Sequence, residues 1–305
     1  MSAKDVICGY MPEHLKIILR SQDFSKISEI HMRAGKPLII NQPREIFLSP
    51  QGKPVDCSSA YTVTQKDISD ALALLSDFSL YVLEEELCGG FLTLPGGHRV
   101  GLTGKAVMEN GRVKTMKNIN GFNIRVSREI KGCADQILPH IVSPSLHHTM
   151  IISPPGCGKT TLLRDLVRQL SDGKYPSRQG YTVGLVDERG EIAGCYRGIP
   201  QNDVGVRTDV LDSYPKSIGM TMLLRAMSPR VIAVDELGSR ADTASVEEII
   251  NAGVCIICTT HGADINEVKL KPGLRDIFYI FERFTVLRGL GTIAGIFDRA
   301  GRRVG

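Results

Sequence analysis

The sequence predicts an α/β protein of two domains, in which a smaller α+β domain precedes a larger domain built on a mostly parallel sheet. The chain has 305 residues, a length typical of about two domains. Hydrophobic residues make up 42% of it and charged residues 23%, which is typical of a folded globular chain. From residue 149 onward, short apolar segments alternate with helical patterns, which indicates buried parallel strands connected by helices.

Charge and hydropathy narrow the possible partners and location. The formal net charge is +4, and the basic surplus is spread over both halves of the chain. We find no basic segment with interleaved aromatic residues, so nucleic-acid binding receives no support. No apolar run approaches the roughly 18 to 20 residues of a membrane span, and the N-terminus lacks the pattern of a signal peptide. We therefore expect a cytoplasmic protein.

Residues 1–130 have the mixed pattern of an α+β domain. Glu29–Arg33 alternates apolar and polar residues, and a turn at residues 34–37 then leads to a returning strand at 38–40, which predicts a hairpin. Thr64, followed by Asp67, predicts the capped start of a helix over 64–76. A second helix is predicted over 79–87, and further strands over 91–94, 98–103 and 123–126.

Residues 131–147 carry Gly132, Pro139 and Pro144 and are interpreted as a linker. Residues 148–305 then predict strands alternating with helices, a pattern typical of a sheet covered on both faces, and the last two strands form a hairpin. The predicted strands are 149–153, 182–187, 231–235, 254–259, 284–287 and 291–297, and the predicted helices are 159–170, 216–227 and 242–251.

A phosphate-binding loop is predicted between the first of these strands and the helix that follows it. Its glycines allow backbone N–H groups to turn toward phosphates, and the helix N-terminus adds a positive dipole end. Lys159 is placed to contact the β- and γ-phosphates, and the Thr160 hydroxyl to ligate Mg²⁺. The predicted nucleotide-binding residues are Ser153, Pro154, Pro155, Gly156, Cys157, Gly158, Lys159, Thr160 and Thr161.

Two predicted strands end in pairs of carboxylates. Asp235 and Glu236 follow four apolar residues, and beside a phosphate loop they predict a magnesium ligand and a group that polarises the attacking water. We assign Asp235 to the metal and Glu236 to the water, although the sequence leaves the division of roles open. Glu188 is a second candidate for orienting water, and the alternative for Asp187 and Glu188 is a surface ion-pair cluster with Arg189.

The polar residues that end the following strand complete the predicted site. His261 stands where a side chain would contact the γ-phosphate and respond to its loss, so we count it with the catalytic residues. A trans-acting arginine from a neighbouring subunit is also expected, although the sequence does not identify it. The candidates are Arg125, Arg128, Arg207, Arg225 and Arg240.

These residues together predict a RecA-like P-loop NTPase core that binds ATP with Mg²⁺ and hydrolyses it. Two alternatives remain at this point. One is a nucleic-acid-dependent ATPase with a RecA-like core. The other is a nucleotide-gated scaffold, in which ATP only locks an oligomer, and the two carboxylates Asp235 and Glu236 argue against it.

The same motifs resemble the stage III AA family of sporulation ATPases, which is similar to the type II/type IV secretion and pilus-retraction ATPases. The resemblance covers most of the chain, including parts of the first domain. The segments that carry it are 29–38, 97–101, 123–128, 153–161, 187–192, 205–212, 219–229, 235–238 and 259–262.

The resemblance implies more than the residues alone. It implies a PAS-like first domain, a hexameric ring with nucleotide between the two domains, and roles for Asp187 and Glu188 in an acidic box and His261 in a histidine box. In the secretion relatives the residue before the Walker B glutamate is commonly Gly, whereas here it is Asp235. The implied partners are membrane proteins of the sporulation channel between mother cell and forespore, on the mother-cell side.

Overall fold

The structure, a computed structural model, describes residues 2–76, 84–173 and 179–305, without the side chains of 84–86 and 112. The chain divides into two compact units, Met1–Arg128 and Glu129–Gly305. In the described residues, none of the helices combines the length and apolar character that crossing a membrane requires.

The first unit is built on an antiparallel sheet. Its strands are β1 (Glu29–Arg33), β2 (Ile39–Asn41), β3 (Ile46–Leu48), β4 (Pro54–Val55), β5 (Phe91–Leu94), β6 (His98–Glu109) and β7 (Arg112–Arg125), in the order β4-β3-β2-β1-β7-β6-β5. Its helices are α1 (Ala3–Gly9), α2 (Glu13–Arg20), α3 (Gln65–Leu75) and α4 (Glu84–Gly89). The predicted hairpin is β1 and β2, which pair antiparallel.

The helix predicted over 64–76 is α3, and it begins as its sequence indicates. The Thr64 side chain accepts a hydrogen bond from the backbone N–H of Asp67, and the Asp67 carboxylate accepts one from the backbone N–H of Thr64. This reciprocal pair satisfies two N–H groups that the first helical turn leaves unpaired. Of the helix predicted over 79–87, residues 79–83 lie outside the described part of the chain. Helices α1 and α2 and strands β3 and β4 are not among the predicted elements.

The second unit is built on a largely parallel sheet. Its strands are β8 (Thr149–Ser153), β9 (Val183–Asp187), β10 (Thr208–Asp212), β11 (Val231–Val234), β12 (Cys255–His261), β13 (Arg283–Leu287) and β14 (Ile293–Asp298), in the order β10-β9-β11-β12-β8-β13-β14. Among these described strands, β13 and β14 alone pair antiparallel, as the predicted closing hairpin. Its helices are α5 (Leu138–Val142), α6 (Lys159–Asp172), α7 (Lys216–Met227), α8 (Arg240–Asn251) and α9 (Ile265–Lys269).

Both faces of this sheet are buried, as near-continuous apolar strands predict. Alternate residues of each strand enter different cores. Ile151 and Ala233 pack in the cluster that contains α6, whereas Ile152 and Val234 pack in the cluster that contains parts of α7 and α8. Residues 131–147, predicted as a linker, contribute buried side chains to the first of these clusters, namely Ala134, Ile137, Leu138, Ile141 and Val142. The edge strand β10 is not among the predicted strands.

The parallel order places several strand ends at one edge of the sheet. Strand β12 lies between β8 and β11 and runs parallel to both. The segments that follow β8 and β11 therefore leave the sheet at the same edge, where ligands bind in open α/β sheets. The phosphate loop, the two carboxylates and His261 come from these three strands.

Candidate nucleotide-binding site

The predicted phosphate loop connects β8 to α6. Its first residue, Ser153, is the buried end of β8, and Gly158 is the N-cap of α6. Gly156 and Gly158 have φ angles of +74° and +87°, a region that residues with a Cβ rarely adopt. Because no side chain caps α6, the N–H groups of its first turn have no side-chain partner there. Such a helix start is suited to binding an anion.

Lys159 begins the helix and points its ammonium at the carboxylate of Glu236. The side chain of Lys159 is 8% exposed, and its Nζ lies 3.3 Å from Glu236 Oε1. A buried ammonium requires a negative partner, and Glu236 provides it. The lysine of the phosphate loop and the carboxylate that follows β11 are therefore in direct contact.

Two further cationic or polar groups converge on the same carboxylate. His261 Nε2 lies 2.8 Å from Glu236 Oε1, and Arg189 Nη1 lies 3.0 Å from Glu236 Oε2. Burial acts to raise the pKa of Glu236, but the charges of Arg189 and Lys159 outweigh it and hold the pKa below its usual range. Glu236 is therefore an anion surrounded by positive groups.

The backbone at Glu236 turns its side chain away from the direction of strand β11. Its φ angle is +52°, in the left-handed region that is costly for a long side chain. Its N–H donates to Thr259 Oγ1 at 2.9 Å and to Asp235 Oδ1 at 3.1 Å, which holds this conformation. Thr259 comes from β12, so the strand between β8 and β11 helps to orient the carboxylate.

Thr160 and Asp235 form a second pair beside this cluster. Thr160 Oγ1 donates to Asp235 Oδ2 at 3.0 Å, and the Thr259 hydroxyl hydrogen-bonds to the other oxygen, Oδ1. A hydroxyl and a carboxylate are ligands that suit Mg²⁺, which usually takes its remaining ligands from water and substrate phosphates. In the described residues no group of three or more His, Cys, Asp or Glu side chains is arranged to hold a metal. The pair of Thr160 and Asp235 fits a Mg²⁺ whose other ligands are water and phosphate oxygens.

The carboxylates at the end of β9, Asp187 and Glu188, have different partners from those of Asp235 and Glu236. Asp187 is 1% exposed and accepts hydrogen bonds from three backbone N–H groups of residues 191–193, at 2.8 to 3.0 Å. Burial raises the pKa of Asp187, and these three bonds act in the opposite direction. Glu188 pairs with Lys216 Nζ at 2.7 Å. Within the described part of the chain neither residue contacts the phosphate loop by a hydrogen bond or ion pair.

His261 is held at its place by contacts on both sides. Its carbonyl accepts a hydrogen bond from Lys271 Nζ, and the preceding residue Thr260 donates to the carbonyl of Leu237 at 3.1 Å. The His261 Nδ1 atom is buried without a hydrogen-bond partner in the described residues. The ring is thus fixed with one nitrogen on Glu236 and the other unsatisfied.

Arg189 is the cluster member that sequence reasoning missed. The sequence offered it only an alternative role, in an ion-pair cluster with Asp187 and Glu188, whereas the structure pairs it with Glu236, and its side chain remains 60% exposed. Its position directly after a strand that ends at the ligand edge was the available signal. Two of the candidates for a trans-acting arginine have partners within their own chain: Arg225 pairs with Glu248 at 2.9 Å, and Arg207 Nη1 donates to the Ser171 carbonyl at 2.8 Å.

Comparison with known proteins places the chain in a family. A family model described as sporulation stage III, protein AA, matches residues 3–304. The stage III sporulation protein AA of Bacillus subtilis (strain 168) is 43% identical over 303 residues, which span 97% of this chain and 95% of that protein. The chain belongs to the stage III sporulation protein AA family. The family resemblance predicted from the sequence is thereby confirmed.

Two solved structures similar to this family member are an ATPase and a pilus retraction motor. The ATPase DotB of Legionella pneumophila has a TM-score of 0.56 and 17% identity, covering 85% of this chain and 72% of that one. The pilus retraction motor PilT, solved with ADP, has a TM-score of 0.52 and 14% identity, covering 86% of this chain and 74% of that one. At these identities the likeness concerns the fold, and it confirms the predicted RecA-like α/β class.

Proposed function

We propose that this stage III AA family protein binds Mg²⁺-ATP at residues 153–161 and hydrolyses it. The observation that carries the proposal is the convergence of Lys159, Arg189 and His261 on the Glu236 carboxylate, beside the Thr160–Asp235 pair. This arrangement brings a phosphate-binding lysine, a pair of metal ligands and an anionic group for water within one small volume. Phosphoryl transfer requires those three elements.

In this proposal the loop N–H groups and Lys159 hold the triphosphate. The triphosphate would compete with Glu236 for the Lys159 ammonium, because both are anions that accept charge-assisted hydrogen bonds. Thr160 and Asp235 would hold Mg²⁺, which supplies charge neutralisation on the β- and γ-phosphates when bound. The nine residues predicted as nucleotide-binding act here mainly through backbone atoms, with Lys159 and Thr160 as the exceptions.

Glu236 is proposed to orient and polarise the attacking water. Lys159 is one of the charges that lower the pKa of Glu236, so its transfer to the phosphates would raise that pKa and make the carboxylate a better base. Arg189 and His261 remain as groups that keep the carboxylate in place. After hydrolysis, His261 would lose its γ-phosphate contact. Glu188 is paired with Lys216. We propose that Glu188 holds the start of α7 through this ion pair and does not orient the attacking water.

For the biological role we propose that ATP turnover powers or gates a sporulation membrane channel between mother cell and forespore. Family membership and the secretion-ATPase fold support this. The proposed assembly is a homo-hexamer, located peripherally at the membrane on the mother-cell side through contacts with channel proteins. A ring would also allow an arginine of one subunit to reach the nucleotide of its neighbour.

The enzyme proposal is tested by phosphate release from Mg²⁺-ATP. We expect Lys159→Ala and Glu236→Gln each to lower the rate by about a hundredfold or more, because each removes a group that acts on the transferred phosphoryl or the water. The matched controls Lys269→Ala and Glu247→Gln change exposed residues of the same unit and should retain the wild-type rate. Full phosphate release by both site variants would exclude hydrolysis at this site.

A further inference from the structure

The turn that connects β13 to β14, residues 288–292, contacts the phosphate loop. The Gly291 N–H donates to the Cys157 carbonyl at 2.9 Å, and a Cβ added to Gly158 would lie 3.4 Å from Gly291 N. The turn is closed by a hydrogen bond from Arg288 N to the Thr292 carbonyl at 2.8 Å. Gly289 and Gly291 have φ angles of +70° and +69°, so both glycines are needed for its shape.

The sheet order places this turn on one particular side of the phosphate loop. Strand β8 lies between β12 and β13, and all three run parallel. Glu236 and His261 therefore lie on the β12 side of the loop, and residues 288–292 lie on the opposite side. If a triphosphate bound with its γ-phosphate facing Glu236, its α-phosphate would lie farther from that carboxylate. The turn lies on the side of the loop to which the nucleoside would then extend.

The turn presents two exposed side chains. Leu290, at its tip, is 83% exposed. Arg288 is exposed, and its guanidinium forms no hydrogen bond or ion pair with the described residues. An exposed leucine contributes nothing to the core of the unit. An apolar side chain and a planar cation are, however, groups that pack against the face of a flat aromatic base.

We propose that residues 288–292 form the nucleoside contact of the site, with Leu290 packing against the base of the bound nucleotide. The hydrogen bond from Gly291 to Cys157 couples the position of Leu290 to the phosphate loop. The base and the phosphates would thus contact two segments that a backbone hydrogen bond joins. This inference rests on the proposed function, because it assumes a nucleotide in the loop. Leu290 is a specificity-determining residue in this account and takes no part in the chemical step.

The test separates the nucleoside contact from the phosphate contact. Binding of ATP, ADP and inorganic tripolyphosphate, each with Mg²⁺, is measured by titration calorimetry on the full chain. We expect Leu290→Ser to weaken ATP and ADP about tenfold, as the loss of one good apolar contact does, and to leave tripolyphosphate within about twofold of wild type. Val206→Ser, which changes a side chain that is 81% exposed and precedes β10, should bind all three ligands like wild type.

The results that contradict the nucleoside contact differ from the result that contradicts the proposed function. Wild-type ATP affinity in Leu290→Ser, or an equal loss for tripolyphosphate, would overturn the nucleoside contact and leave the proposed function intact. A wild-type protein that binds neither ATP nor tripolyphosphate would overturn the proposed function, and the inference with it.

A second variant gives a readout that does not depend on affinity. The chain contains no tryptophan, so Leu290→Trp introduces a single reporter at the tip of the turn. We expect its fluorescence to change when ADP or ATP binds and to stay constant with tripolyphosphate, because only the nucleosides carry a base that contacts the indole. Equal fluorescence responses to all three ligands would contradict a contact with the base.

Discussion

At the scale of single residues, Glu236 has a backbone conformation and a set of charged partners that are both unusual for a glutamate. Glu236 adopts a left-handed backbone conformation and carries three positive or polar partners on one carboxylate. The left-handed backbone and the burial of these charged groups both cost free energy, and such costs concentrate where a protein binds or reacts. We infer that Glu236 is held for interaction with a ligand, since a purely structural ion pair needs neither feature.

A second unusual pair of residues lies on β9 and β10. Asp212 stands directly opposite Asp187 in the parallel register. Burial, followed by the charge of Asp187, raises the pKa of Asp212 to about 6. Since the folded-state pKa is raised above the unfolded value, the folded protein favours the protonated form. Stability from this group is therefore complete at low pH and is lost as the pH rises through about 4 to 6.

Replacing Asp212 with a neutral side chain should remove both the cost of burying its charge and its repulsion from Asp187. We expect Asp212→Asn to stabilise the second unit at pH 8 by on the order of 1 kcal/mol, a value reduced because the side chain is partly exposed. The gain should shrink as the pH falls below 6 and disappear near pH 4. Thermal unfolding followed across this range measures it, with Asp209→Asn as the control, because Asp209 lies opposite Gly184 and no carboxylate. A gain that does not depend on pH would contradict the repulsion.

At the scale of elements, the sequence predicted what local chemistry determines. The Thr64 cap, the two loop glycines and the apolar strands β8, β9, β11 and β12 each have a signature within a few residues. Strand β10 has none, because its five residues are only partly buried and include two aspartates, so only pairing with β9 identifies it as a strand. The short helix α5 contains Pro139, and the positions of its apolar residues are explained only by their burial in the core.

The same distinction explains what was missed in the candidate site. The phosphate loop and both carboxylates after β11 follow from motifs. The contact of Arg189 with Glu236 joins the ends of two strands that are far apart in the sequence, so no pattern of neighbouring residues predicts it. The position of the 288–292 turn beside Gly158 depends on β13 lying next to β8, which is a property of the sheet order alone.

At the scale of the whole molecule, the proposed ring predicts how activity depends on concentration. If a neighbouring subunit completes each site, the rate per protein molecule should rise as the protein concentration increases, since isolated chains carry incomplete sites. Light scattering with and without a non-hydrolysable ATP analogue, alongside the rate, provides the measurement. A rate strictly proportional to protein concentration, from a species that scatters as a monomer throughout, would contradict a shared site.

The central claim is that residues 153–161 hold a triphosphate in front of Glu236. Its most direct test is equilibrium binding of Mg²⁺-ATP to Glu236→Gln and to Lys159→Ala, each compared with wild type. We predict that Glu236→Gln binds ATP at least as tightly as wild type, because every phosphate-binding group remains and the competing carboxylate is neutralised. Lys159→Ala should bind at least about tenfold more weakly, since it loses a charge-assisted contact to phosphate. Wild-type ATP affinity in Lys159→Ala would contradict the claim.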